Sequence, residues 1–263
     1  MHAHVSRPAL LALVLAAGAA SACDDRGQFD WANPGGPGGG GGGGPDAASG
    51  GVDAGLDRVV SGRVCALSEL RQPTMCNPIV DLSLVEIGER ESAATTTAAA
   101  DGRFTLATGG TVRSTLQVAR TAPDLVPSLV PIPLVDGRAA GVIAPVMDGA
   151  EWNALLLAVG TVDPAGDASI AVYVVDRATG DPVTGASITP PAGTIQPVFY
   201  DTEQADVWTD LGGTGPFGAA LLTSVPAAAD TTTLTVDAPG RRLTLSDVPV
   251  APDTLTFVTA ALP

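Results

Sequence analysis

Residues 170–188 decide the fold. They read Ile170-Ala171-Val172-Tyr173-Val174-Val175-Asp176, then Arg177-Ala178-Thr179-Gly180-Asp181-Pro182-Val183-Thr184-Gly185-Ala186-Ser187-Ile188. Ile170, Val172 and Val174 fall at period two, which puts them on one face of a strand. The Thr179-Gly180-Asp181-Pro182 cluster is a turn signal. Pro182 and Gly185 bracket a turn whose backbone would strain most side chains. Val183, Ala186 and Ile188 are then expected to face an interior.

The same pattern runs outward in both directions. Val80, Leu82 and Leu84 alternate with Asp81 and Ser83. Phe104 and Leu106 alternate with Arg103 and Thr105, and Leu116 and Val118 flank Gln117. Leu234 and Val236, Leu243 and Leu245, and Leu255 and Phe257 predict three closing strands. Asp101-Gly102 and Pro239-Gly240 mark further turns. One apolar face per strand is what a sheet needs to pack on another sheet. One segment departs from period two. Asp148-Gly149-Ala150-Glu151 has capping-box spacing, and Trp152, Leu155, Leu156 and Val159 share one helical face before Gly160. This predicts a short helix over Gly149–Val159, docked on a sandwich edge.

Charge and composition exclude much chemistry. The chain has 263 residues, 28 acidic and 13 basic, and every basic residue is arginine. Its two histidines are His2 and His4. A folded part without His or Lys cannot form a Ser-His-Asp triad, a His-ligated zinc site, a lysine Schiff base or a P-loop. A net charge of −15 argues against nucleic acid as a partner.

Residues 1–22 read as a leader. Arg7 precedes the apolar run Ala9–Ala20, which is too short to span a bilayer as a helix. Ala20-Ser21-Ala22 fits an ordinary leader peptidase. With Cys23 the same residues resemble a bacterial lipobox, in which the cysteine becomes lipidated and N-terminal. Asp24–Gly55 is a polar tether with Pro34, Pro37, Gly38–Gly44 and Pro45. Such a spacer suits a domain held clear of a membrane by a lipid on Cys23. With too little apolar surface to bury, the tether is expected to be disordered, and its mean span is about 30 Å. Cys65 and Cys76, 11 residues apart, are expected to form a disulfide in an oxidising compartment, worth ~2–3 kcal/mol; two unpaired buried thiols are the alternative.

Two motifs carry a family resemblance. Gly180-Asp181-Pro182-Val183-Thr184-Gly185-Ala186-Ser187-Ile188 resembles the G-x-P-V-x-G-A-x-V signature of carboxypeptidase regulatory-like domains. Thr97-Ala98-Ala99-Ala100-Asp101-Gly102-Arg103-Phe104-Thr105-Leu106 resembles the second signature, T-x-x-x-D-G-x-F-x-L. Val60-Ser61-Gly62-Arg63-Val64 looks like a first strand of such a domain. The resemblance implies an all-β fold of two tandem transthyretin-like, Greek-key sandwiches, over 57–147 and 148–263, the second opening on the short helix. The halves read as degenerate repeats, with Thr209-Asp210 and Gly215-Pro216-Phe217 standing where the second D-G-x-F should fall. The arrangement is similar to tandem-domain envelope lipoproteins of the myxobacterial type.

Few residues invite a ligand. Asp201, Glu203, Asp206 and Asp210 form the densest acidic group and are a weak calcium candidate, beside a solvated acidic loop as the plain alternative. Tyr200 and Trp208 could stack on a sugar, or simply anchor the core. Paired carboxylates are the groups that hydrolyse glycosides, but nothing in the sequence marks a cleft around any such pair. The expectation is a non-catalytic, lipid-anchored module of the bacterial envelope, on the outer membrane or a periplasmic face. Its role would be structural, adaptor or adhesive, toward an envelope protein or polysaccharide, with no cofactor. The alternative is a carbohydrate-binding module, calcium-assisted, using the Tyr200–Asp210 loop. An accessory domain of a zinc carboxypeptidase fails for want of histidine, and Lys–Asn isopeptide chemistry for want of lysine.

Overall fold

The computed structural model describes residues 58–77, 81–83, 85–110, 112–119, 125–162, 165–204 and 207–263. The leader, Cys23 and the tether lie outside the described residues, as do Val80, Leu84 and Asp206. The first half carries β1 (Val59–Ala66), β2 (Glu86–Glu89), β3 (Thr95–Thr97), β4 (Arg103–Ala107), β5 (Arg113–Ala119), β6 (Leu125–Val126), β7 (Ser128–Pro133) and β8 (Ala139–Asp148). Helix α1 (Gly149–Ala158) follows. The second half carries β9 (Asp167–Asp176), β10 (Ser187–Thr189), β11 (Phe199–Asp201), β12 (Trp208–Thr209), β13 (Ala219–Pro226), β14 (Thr231–Ala238), β15 (Arg241–Pro249) and β16 (Leu255–Leu262).

Among the described residues the fold is all-β with one helix, and its halves repeat one topology. In the first half β1 pairs antiparallel with β4 and parallel with β8, while β2, β5 and β7 form an antiparallel run. In the second half β9 pairs antiparallel with β13 and parallel with β16, while β10, β14 and β15 form the matching run. The expected repeat is therefore present in the strand order. Its register corrects the motif alignment. Val64 N–H donates to Gly102 O at 2.8 Å, and Val174 N–H donates to Gly218 O at 2.7 Å. Gly218, and not Gly215, thus takes the place of Gly102. Both have positive φ, at 65° and 83°. A Cβ would meet Val174 O at 2.4 Å in one case and Val64 O at 2.5 Å in the other, so only glycine fits.

The two sandwiches share a sheet, which the alternation did not foretell. β16 also pairs parallel with β7, through Leu255↔Ser128 and Thr256↔Leu129, and this joins nine strands in the order β12-β11-β13-β9-β16-β7-β5-β2-β3. β9 is consequently buried on both faces. Ile170, Val172 and Val174 enter the second core with Val183, Ala186 and Ile188, as the period-two reading expects. Ala171 and Tyr173 enter the other core with Phe104, Leu106, Leu116 and Trp152.

Local expectations mostly hold. Asp148 caps α1 by accepting from Ala150 N–H and Glu151 N–H, and Gly160 follows at φ 71°. Trp152 and Leu156 bury against the first sandwich, where the helix meets β6 and β8. The strand expected around 80–84 is absent from its described part. Asp81 Oδ1 instead accepts from Ser83 N–H, a local bond that competes with the ladder, and the strand begins at Glu86.

Glu89 ends β2 and is 3% exposed. Its carboxylate accepts from Gly109 N–H at 2.7 Å, Gly110 N–H at 3.3 Å, Ser92 Oγ at 2.6 Å and Ser114 Oγ at 2.8 Å. Burial works to raise its pKa, but the bonds from Gly109, Ser92, Ser114 and Gly110 outweigh it and hold the carboxyl below its ordinary value. The folded pKa is the lower one. The stabilisation is therefore full above the unfolded value of about 4.3 and is lost as pH falls through the folded value. Urea midpoints measured from pH 6 downward should fall less steeply for Glu89→Gln than for the parent chain.

Candidate functional site

The half-to-half contact begins with the disulfide. Cys65 on β1 is bonded to Cys76, with their Cα atoms 4.9 Å apart. The bridge closes the loop that carries Leu70 and Arg71, both 3% exposed. Closing a loop of this size stabilises by about 2–3 kcal/mol. Its tip lies on the second half. Tyr173 Oη on β9 donates to Leu70 O at 2.7 Å, and burial pushes the phenol pKa up, so it stays a donor. Arg71 pairs with Glu69 and donates from Nη1 to Thr202 O at 2.9 Å and to Gln204 O at 2.6 Å. Its guanidinium stacks 4.7 Å from the centroid of Phe217. Two more arginines cross the halves. Arg90 donates to Val250 O at 3.0 Å and to Asp230 at 2.9 Å, and Arg113 lies 3.3 Å from Asp247. The planar fork of arginine suits such multiple donation better than a lysine ammonium.

Among the described residues, the acidic side chains expected to group around Asp201 are not brought together. Asp201 turns inward and is 2% exposed. Its carboxylate accepts from Gly215 N–H at 2.8 Å, Phe217 N–H at 2.7 Å and Ala219 N–H at 2.8 Å. It is a staple for the turn that feeds β13. Glu203 and Asp210 point to solvent, while Asp206 lies outside the described residues. Among the described residues, no three His, Cys, Asp or Glu side chains group to hold a metal. Tyr200 is buried, and its Oη accepts from Ile188 N–H at 3.0 Å. Burial raises its pKa, with the Ile188 bond working against it. Trp208 is half-buried against the first core. The aromatic pair therefore anchors the loop. A thermal melt should give overlapping curves in calcium and in sodium chloride of matched ionic strength, since screening relieves the loop's repulsion equally in both. A rise in midpoint specific to micromolar calcium would mark a site.

A cleft of about 670 Å³ opens between the halves. Its floor includes Val130, Ile132, Ile143 and Phe257, and Arg90, Arg113, Asp230 and Asp247 stand on its rim. The cleft has a backbone cause. Leu255 N–H donates to Pro127 O at 2.9 Å, and two register pairs of β7 with β16 follow. The next donor that this parallel ladder requires from β7 is the amide of residue 131. Pro131 has none, and Pro133 repeats the gap. The strands therefore separate. An apolar floor below an unpaired strand edge suits an extended chain segment better than a polar metabolite. The prolines were the signal in the sequence, legible only once β7 and β16 are known to be neighbours.

No protein family matches this chain, and no curated protein does. Among solved structures it is similar to the shaft pilin SpaA from Lactobacillus rhamnosus GG, at 12% identity over 78% of this chain and 98% of that one, with a TM-score of 0.24. A Streptococcal ancillary pilin is 11% identical over 78% of this chain and 62% of its own, at 0.23. GBS52, the minor pilin of Streptococcus agalactiae, is 8% identical over 78% of this chain and 95% of its own, at 0.21.

Proposed function

We propose that this chain is a non-catalytic, lipid-anchored β-sandwich module of a bacterial envelope, with a structural, adaptor or adhesive role. The observation that carries the reading is where the buried charge goes. Asp201 and Glu89 spend their carboxylates, and Arg71 its guanidinium, on the chain's own loops, so they stiffen the joined sandwiches. A catalytic site would instead leave such groups poised toward a cleft. The leader-like segment, Cys23 and the tether support anchoring, and the two quoted signatures support descent from carboxypeptidase regulatory-like domains. The test is fractionation with intact-mass analysis. Cys23→Ala should move the protein from membranes to the soluble fraction, and the parent should carry acyl mass on Cys23. An unmodified chain beginning at Cys23 would contradict the anchor. A glycan array on the soluble variant separates the roles, because sugar binding lost on Glu203→Gln would favour a carbohydrate-binding module.

A further inference from the structure

The edge of β16 beside the cleft is open. Ser169 N–H donates to Thr254 O and Arg177 N–H to Leu262 O, which fixes the even residues of β16 as those bonded to β9. Its odd residues face the other way. Leu255 uses that side on Pro127, while Thr259 and Ala261 line the cleft with no strand partner there among the described residues. An unpaired edge above an apolar floor is a seat for one more strand. Across the cleft, Pro131 and Pro133 offer carbonyls alone, so the seat takes one strand, bonded chiefly to β16.

The chain itself contains a segment of fitting chemistry. In Gly27-Gln28-Phe29-Asp30-Trp31-Ala32-Asn33, the aromatics fall at period two, in a tether otherwise dominated by glycine, and Pro34 ends the run. The fold begins beside the cleft wall, because Val60 on β1 pairs with Ala139, which lines it. The 24 residues 34–57 link the two points, with a mean span of about 27 Å for a glycine-rich chain. We infer that Gly27–Asn33 is the occupant, adding to the edge of β16 and placing Phe29 and Trp31 against the apolar floor. The covalent link supplies a millimolar effective concentration, so modest contacts suffice. Residues 34–57 would then close a loop, and the described fold would stand nearer to Cys23 than the mean span of a free tether.

Hydrogen exchange on the full soluble chain, read by mass spectrometry, tests this from both sides. The parent is Cys23→Ala. The amides of Thr259 and Ala261 should exchange about tenfold more slowly in the parent than in Phe29→Ser/Trp31→Ser. Both substitutions lie outside the described residues and change no side chain of either core. Reciprocally, Gln28–Ala32 should lose protection in Thr259→Pro, which removes one cleft-facing donor and spares the ladder to β9. Equal exchange in parent and double variant overturns the inference. So does protection that grows with protein concentration, which would seat a second copy's segment instead.

Discussion

Arg71→Ala is expected to destabilise the chain by about 3 kcal/mol in urea unfolding. The side chain is 3% exposed and bridges both halves. Truncation strips the Arg71 donor from Thr202 O and Gln204 O and takes from Glu69 its ion-pair partner, leaving it the bond from Gln72 Nε2. It also removes the stack on Phe217. Lysine should not rescue it, because one ammonium cannot reproduce the fork that meets two carbonyls and a carboxylate together. The loss should register locally as faster exchange of the amides at 207–210, and globally as a lower midpoint with an unchanged slope. A change under 1 kcal/mol would mean that the sheet alone joins the halves.

Asp201→Ala should cost a similar amount, about 3 kcal/mol, because one buried and two part-buried N–H groups lose a charged acceptor at once. The isosteric Asp201→Asn separates charge from shape. Oδ1 accepts from Gly215 and Ala219, and Oδ2 from Phe217. An asparagine that keeps its carbonyl at Oδ1 preserves two bonds and faces Phe217 N–H with a second donor. It should therefore lose about half as much as alanine. Denaturant titrations of both variants check the order. An Asp201→Asn as damaging as alanine would show that charge dominates over bond count.

What could be read from the chain divides by range. Period-two strands other than that around 80–84, the α1 cap at Asp148, the turn at Gly185 and the cysteine pair are short-range signals, and they appear where expected. The seam of β7 with β16 is not, because it joins residues more than a hundred positions apart and leaves only two prolines as its trace. Asp201 misleads, and Arg71 gives no signal, for a related reason. A charged residue in a loop reads as solvated, and its burial becomes visible only when the carbonyls of Thr202 and Gln204, or the amides of the 215–219 turn, come to meet it. β9 is a milder case. Its alternation marks one core face, but Ala171 and Tyr173 on the reverse find a second core that the strand pattern does not announce.

Two repeated sandwiches that share one nine-stranded sheet should unfold as one cooperative unit. Denaturant-dependent hydrogen exchange tests it most directly, comparing β1, in the outer layer of the first sandwich, with β14, in the outer layer of the second. These strands share no sheet, and their buried side chains enter different cores. A joined unit predicts one opening free energy and one urea dependence for the most protected amides of both. If β14 opens at lower urea with a smaller slope while β1 stays closed, the halves are independent domains.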